Sequence, residues 1–369
     1  MHRLQLHYTL SPDARLARVH NPLMDLLQAV HGQGSISGAA RTLGLSYRHV
    51  WGELKRWEQT LGNALIVWEK GQAARLTEFG AKLLWAERQA QARLAPQIEA
   101  LRAELERAFA VAFDPHAHVV TLYASHDEAL GALREQALAP APGLDQVHLD
   151  VRFCGSVDAL RALNEGRCTM AGFHTLQHPR PGSLAEQTYR PLLQPGQHKL
   201  IGFAARNQGL LLAPGNPQGL HTLQDVQRRQ ARFVIRALGS GTRLVLDDLL
   251  AQAQLRPTDL NLVDGSEPTH SAVAHAIASG QADAGLGTQA AAQTLGLDFV
   301  PLVQEHYHLV CLKSTLDDPA VQALRRFLQH PVWQQHLGAV PGCNPLHAGE
   351  VLSLRAVLPW WTFARRKPS

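Results

Sequence analysis

Apolar residues recur every three or four positions in three stretches near the N-terminus, which predicts three short helices. Leu23, Leu26, Leu27 and Val30 mark the first, over Pro22 to His31. Ala39, Ala40 and Leu43 mark the second, capped by Ser35 or Ser37, whose hydroxyl would accept from free backbone N–H groups. Gly44-Leu45-Ser46 reads as a tight turn, with Ser46 capping the helix that follows. Val50, Leu54, Trp57 and Leu61 share one face of that third helix, while Arg48, His49, Trp51, Gly52, Lys55 and Arg56 occupy the other. Ile66-Val67-Trp68, a turn over Glu69-Lys70-Gly71-Gln72 and then Arg75-Leu76-Thr77 predict a β-hairpin. A further short strand is expected over Leu4 to Leu10.

From Thr77 a long amphipathic pattern runs through Leu83, Leu84, Ala90, Leu94, Ile98, Leu101, Leu105 and Phe109. Pro96 is expected to kink or divide it. A single apolar stripe with no domain of its own to cover it predicts pairing with a second copy. After Asp114-Pro115-His116 the pattern changes to strands alternating with helices, which predicts a parallel sheet. Strands are expected at Val119–Ala124, Val147–Phe153, Thr169–Phe173, Arg232–Ile235, Leu260–Val263 and Ala284–Leu286. A strand-rich segment, Lys199 to Ala213, separates two such runs, and Tyr307 to Leu312 reads as a return strand. Two α/β lobes joined by crossing strands are implied, with a ligand held between them.

The first half has the plan of a helix-turn-helix whose second helix enters the major groove. An αα-hairpin in an ordinary core would share its helical pattern, but not the hairpin that follows. Ala39-Ala40, the run Ser46-Tyr47-Arg48-His49-Val50-Trp51, and Leu76-Thr77-Glu78-Phe79-Gly80 carry a resemblance. Over roughly residues 20–110 the chain resembles the winged helix-turn-helix of LysR-type regulators and, more closely, of molybdate-responsive ModE regulators. The resemblance implies a double-stranded DNA operator and a homo-oligomer, dimer or tetramer. Arg48, His49, Trp51 and Gly52 would then face base edges; Lys55, Arg56, Lys70 and Arg75 would reach phosphates, with Ser37, Ser46 and Tyr47 beside them.

Several predicted strands run into helices through Gly, Ser or Thr: Ser125-His126-Asp127, Gly155-Ser156, Gly239-Ser240-Gly241-Thr242-Arg243 and Thr269-His270-Ser271. Ligands of open α/β sheets sit at such ends, and helix N-termini suit an anion. About residues 117–350 resemble periplasmic-binding-protein-like domains fused to ModE-type DNA-binding domains and, more distantly, molybdate and tungstate transport proteins. Ala213-Pro214-Gly215-Asn216-Pro217 and Gly280 to Gly287 add to that likeness. The resemblance implies an oxyanion held by Ser125, Ser156, Ser240 and Thr242, with Arg243 and Ser271 added; Gly241 and Thr269 are candidates from the same turns. His174 and His270 lie nearby, so a small carboxylate such as formate, or a cofactor-related anion, would fit the same donors.

The fold class expected is therefore α/β: an N-terminal winged helix-turn-helix with a long dimerisation helix, then a two-lobed type-II periplasmic-binding-protein-like domain. The layout is 1–76, 77–113, then 117–350, with lobe I about 117–200 and 305–350 and lobe II about 201–304, and a tail at 351–369.

Composition adds three points. The net charge of +4 lies wholly in residues 1–113, with 14 Lys+Arg against 10 Asp+Glu, whereas the remainder balances at 21 against 21. That places the excess where DNA would be met. The four cysteines have no CxxC spacing and the 20 histidines no HExxH, so neither disulfide nor metal is expected. No apolar run long enough for a membrane span or a secretion signal is found, so a cytoplasmic protein is expected. No G-x-S-x-G elbow or P-loop is present, and adjacent Ser125, His126 and Asp127 do not make a triad, so an enzyme and a bound cofactor are not expected. An anion-delivery protein without operator binding is the reading of another class.

Overall fold

The structure is a computed structural model that describes residues 21–68, 73–114, 116–139 and 142–361. The strand expected at Leu4–Leu10, the hairpin tip with Lys70 and the last residues of the tail lie outside the described residues. The chain divides into two compact units, residues up to Gln91 and residues from Ala92 on.

The first unit holds α1 (Pro22–Gln33), α2 (Ile36–Leu43), α3 (Tyr47–Leu61), β1 (Ile66–Val67), β2 (Arg75–Leu76) and the start of α4 (Glu78–Phe113). Its caps are local and follow from sequence. Ser35 accepts from the Gly38 N–H at 3.0 Å, Ser46 from the His49 N–H at 3.2 Å, and Thr77 from the Gly80 N–H at 2.9 Å. Gly44 closes α2 with φ 66°, which a residue bearing Cβ resists. Leu27, Val30, Ala39, Val50, Leu54 and Leu65 form its fully buried core. Strands β1 and β2 pair antiparallel, Ile66 opposite Leu76 and Val67 opposite Arg75.

α4 is one helix of 36 residues, with Pro96 buried inside it and no division there. Proline lacks an N–H, so the Ala92 carbonyl, four residues earlier, has no partner within the helix. The Thr269 hydroxyl donates to that carbonyl at 3.1 Å.

The second unit follows the predicted alternation: β3 (His118–Ala124), α5 (Glu128–Leu138), β4 (Val147–Phe153), α6 (Ser156–Asn164), β5 (Met170–Leu176), α7 (Leu184–Tyr189) and β6 (His198–Leu212). Then come α8 (Leu223–Arg228), β7 (Arg232–Val234), α9 (Gly241–Gln252), β8 (Asn261–Leu262), α10 (His270–Ala278), β9 (Ala284–Thr288) and α11 (Gln289–Thr294). β10 (Asp298–Leu312), α12 (Pro319–Gln329), α13 (Pro331–Gly338), β11 (Cys343–Pro345), β12 (Val351–Ser353) and α14 (Leu354–Val357) complete it. The strand order is β4-β3-β5-β10-β6-β9-β7-β8, with β11 and β12 also on β6.

β6 and β10, each 15 residues, run antiparallel along one another. β5 pairs with the later half of β10, from Glu305 to Cys311, and β9 pairs with the later half of β6, from Gln208 to Leu212. The two long strands therefore pass from lobe I, built on β3, β4 and β5, to lobe II, built on β7, β8 and β9, near Arg206 and Glu305. Separate apolar clusters fill the lobes, one around Leu122, Phe203 and Trp333, another around Leu210, Phe233 and Leu250. Among the described residues no helix is long and apolar enough to cross a membrane.

Candidate functional site

The turns that end the strands of the two lobes meet. A Cβ placed on Gly155 would come 2.6 Å from the Gly239 carbonyl oxygen, and one on Gly241 would come 2.4 Å from the His174 ring. Ser125 and Ser156 share a hydroxyl hydrogen bond of 3.1 Å. Glycine at 155 and 241 is thus required by close approach, since any side chain there would collide across the cleft.

Around these turns lies a buried polar cluster. Arg206 forms an ion pair with Asp127 through Nη1 and a hydrogen bond to Glu305 through Nε, and its Nη2 lies 3.2 Å from His174 Nδ1. His174 Nδ1 also lies 3.5 Å from Glu305 Oε1, so this nitrogen faces both a guanidinium and a carboxylate. The other ring nitrogen, Nε2, is buried and has no hydrogen-bond partner among the described residues. Gln208 Nε2 donates to Thr242 Oγ1 at 3.2 Å, and Thr242 Oγ1 lies 3.3 Å from His270 Nε2. A hydroxyl has one donor and two acceptor sites, so Thr242 serves both neighbours, and His270 Nδ1 is buried without a partner among the described residues.

Arg236 donates from Nε to the Glu267 carbonyl at 3.2 Å and from Nη2 to the Pro268 carbonyl at 2.8 Å; its buried Nη1 has no partner. Three buried nitrogens without a partner among the described residues, His174 Nε2, His270 Nδ1 and Arg236 Nη1, therefore belong to one cluster. Two acceptors, Glu305 Oε2 and Gln208 Oε1, are also unpaired.

The charges are unequal in their compensation. Burial pushes the Glu305 carboxyl up, but Arg206 and then His174 pull it down to about 2, so its charge is matched at once. Arg236 leans on neutral carbonyls, and burial lowers it to about 10, still cationic at neutral pH. Burial, then Arg236, keep His270 well below the usual histidine range, so its ring is neutral.

The sequence-derived residues fall in different places. Ser125, Ser156, His174, Gly241, Thr242 and His270 lie in the cluster. Ser240 caps α9, accepting from the Arg243 N–H at 3.2 Å and donating to the Ala237 carbonyl at 2.8 Å. Thr269 caps α10 at 2.9 Å and binds α4, so its hydroxyl is engaged. Arg243 lies along α9 against Asp247 at 3.1 Å, with its guanidinium committed to that helix. Ser271 faces His275 on α10, with its hydroxyl 3.5 Å from Nδ1. Arg206, Gln208, Arg236 and Glu305 were not singled out. Their signal was charged and amide side chains inside strands otherwise as apolar as LIGFAARNQGLLL.

On the first unit, Arg48, His49, Gly52, Lys55, Arg56 and Arg75 are exposed, as are Ser37, Ser46 and Tyr47. Trp51 is half-buried, stacked on Tyr47 with centroids 6.5 Å apart and edge-on to Trp68 at 5.8 Å. It serves as a platform under Lys55, whose Nζ lies 4.8 Å from its ring, rather than a free side chain. Lys55 pairs with Glu58 at 2.6 Å and Arg56 with Glu53 at 2.5 Å. Such exposed pairs are weak and exchange for phosphate at small cost. Glu58 Oε1 also accepts from the Leu65 and Ile66 N–H groups at 2.8 and 3.3 Å, tying α3 to the hairpin.

Comparison with known proteins bears on both units. Residues 23–81 match the model of the bacterial regulatory helix-turn-helix protein, lysR family, and residues 140–329 match that of the PBP superfamily domain. The uncharacterized protein YvgK of Bacillus subtilis (strain 168) is 29% identical over 201 residues, 54% of this chain and 64% of that protein. The match thus spans less than two thirds of that relative. Among solved structures, the Corynebacterium glutamicum OxyR C206 mutant is 15% identical, with 83% of this chain and 89% of that one covered at a TM-score of 0.41. ArgP from Mycobacterium tuberculosis is 19% identical, with 83% and 94% covered at 0.39.

Proposed function

The chain belongs to the PBP superfamily domain family and carries a LysR-type helix-turn-helix at its N-terminus, and from that premise we propose that it is a transcription regulator whose two-lobed domain senses a small oxyanion, molybdate or tungstate. The observation that carries the ligand class is the buried Arg236 Nη1, an N–H donor without an acceptor among the described residues, in one cluster with the unpartnered ring nitrogens His174 Nε2 and His270 Nδ1. A buried donor without an acceptor costs about 1–3 kcal/mol, and an oxyanion supplies acceptors to Arg236 and to each ring that carries its proton on the unpartnered nitrogen. Arg236 gives the cluster a cation that no neighbouring carboxylate bonds, which favours a negative ligand. No side chain caps α6, so its first-turn N–H groups add donors at the same place.

The contact of the Gly155 and Gly239 turns favours an anion of a few atoms over a bulky cofactor-related one. A small carboxylate such as formate meets the same donors with fewer acceptor oxygens. On the DNA side, Arg48, His49 and Gly52 read base edges and Lys55, Arg56 and Arg75 meet phosphates. The exposed stripe Leu94, Leu101, Leu105 and Phe109 on α4 supports assembly with a second copy.

Calorimetry of the full chain with molybdate, tungstate, sulfate and formate tests the reading. One of the first two should bind most tightly, and Arg236→Gln should weaken it by at least about tenfold, which is the ~1.4 kcal/mol or more expected of a buried charged hydrogen bond. Equal weak binding of all four, or full affinity in the variant, overturns it.

A further inference from the structure

In the second unit, α4 bonds to ligand-bearing turns of both lobes. Towards lobe II, Arg93 pairs bidentately with the buried Glu267, Nε to Oε2 at 2.9 Å and Nη2 to Oε1 at 2.6 Å. The Ala92 carbonyl takes the Thr269 hydroxyl at 3.1 Å. Glu267, Pro268 and Thr269 are also the segment whose carbonyls hold Arg236 and whose last residue caps α10. Towards lobe I, Glu99 Oε1 lies 3.4 Å from His126 Nε2, within the Ser125-His126-Asp127 turn, and the Glu99 carbonyl accepts from Arg134 at 3.1 Å. Arg102 with Glu135 at 3.4 Å and Arg107 with Asp150 at 2.9 Å extend that side.

The two sets of anchors stand on either side of Pro96. From Ala92 to Glu99 the helix spans roughly 10 Å at about 1.5 Å per residue, and an α-helix does not stretch. Separation of the lobes must therefore break an anchor or bend the helix. Bending is cheapest at Pro96, where one backbone hydrogen bond is already absent and is replaced by a bond from lobe II itself.

We propose that residues 92–107 of α4 form a strap that registers the separation of the two ligand-bearing turns and yields at Pro96, so that lobe closure on the anion sets the course of α4. The proposal rests on the reading of the cleft as a small-anion site. Because α4 is continuous from Glu78, a change of course at Pro96 is passed along the helix that leads to the DNA-binding unit.

The test uses Arg93→Gln, which unlatches lobe II at a half-exposed residue, and Pro96→Ala, which restores the missing N–H; neither residue is placed in the ligand cluster. Spin labels carried on unnatural amino acids at the exposed positions 161 on α6 and 252 on α9 report lobe separation without any anion. Arg93→Gln should broaden the distance distribution of the full-length protein; an unchanged distribution overturns the strap. Fluorescence anisotropy on a DNA fragment from the protein's own upstream region then measures operator affinity with and without molybdate. A ligand effect in the usual range of about 5–150-fold should fall below about twofold in both variants while their molybdate affinity stays within about threefold of the parent. An undiminished effect overturns the proposal. If no anion binds the parent protein, the anion reading fails, and the anion-free distances still decide the strap.

Discussion

Thr269→Val removes one hydroxyl and changes little else in shape, yet two distant backbone groups depend on it. The hydroxyl accepts from the Ala272 N–H at the start of α10 and donates to the Ala92 carbonyl that Pro96 leaves unpaired. Loss of a helix cap costs about 1 kcal/mol. A buried carbonyl left without a donor costs about 1–3 kcal/mol. The variant should therefore destabilise the cleft-bearing unit by about 2–4 kcal/mol. Pro96→Ala changes the account, because the alanine N–H then serves the Ala92 carbonyl within the helix. In that background Thr269→Val should cost only the cap, about 1 kcal/mol, leaving a coupling of about 1–3 kcal/mol between sites far apart in sequence. Native-state hydrogen exchange of core amides in β6 and β10 at increasing urea reads this unit alone. Equal costs in the two backgrounds would refute the reasoning, since they would mean that the Thr269 bond to α4 has no energetic weight.

Gly155→Ala is compatible with the backbone at that position, φ −64°, but its Cβ would meet the Gly239 carbonyl at 2.6 Å. It should wedge the lobes, weaken anion binding by at least about tenfold in calorimetry and cost about 1–3 kcal/mol of stability. His308 lies fully buried, and burial, then His306 and His174, lower it to about 3, below its unfolded value of about 6.5. Its contribution is present above about pH 6.5 and is lost as pH falls towards 3, amounting to about 2 kcal/mol by pH 5, which urea unfolding at pH 7 and 5 should show and His308→Gln should remove. Arg48→Ala should relax operator sequence preference in competition binding. Lys55→Ala should weaken all duplexes alike and reduce the slope of log affinity on log salt by about 1.

What the sequence showed and what it concealed divide by range. The helix-turn-helix was legible because Ser35, Gly44 and Ser46 act on backbone groups within a few residues of themselves. β4 ends where its apolar alternation ends, at Val147 and Phe153. The cleft turns were visible as glycine and hydroxyl residues at strand ends. The charged centre of the cluster was not, because Arg206 meets Glu305 through strand register and Asp127 through packing, neither of which is written locally. That Pro96 does not divide α4 has the same root. Its local effect is to break a helix, and the bond that lets α4 continue comes from Thr269, 177 positions from Ala92. Arg243 looked like the cation of the site by proximity to the glycine turn, but Asp247 one helical turn on competes for it. Arg236, at a strand end with no acid nearby in sequence, is the cluster's cation that bonds to carbonyls and not, as Arg206 does, to carboxylates.

Crystals grown with tungstate and measured at a tungsten absorption edge test the central claim most directly. A single strong anomalous peak is expected between the Gly155 and Gly239 turns, within hydrogen-bond reach of Arg236, His270 and His174. A map with no peak there, or with tungsten bound only on the outer surface, would contradict it.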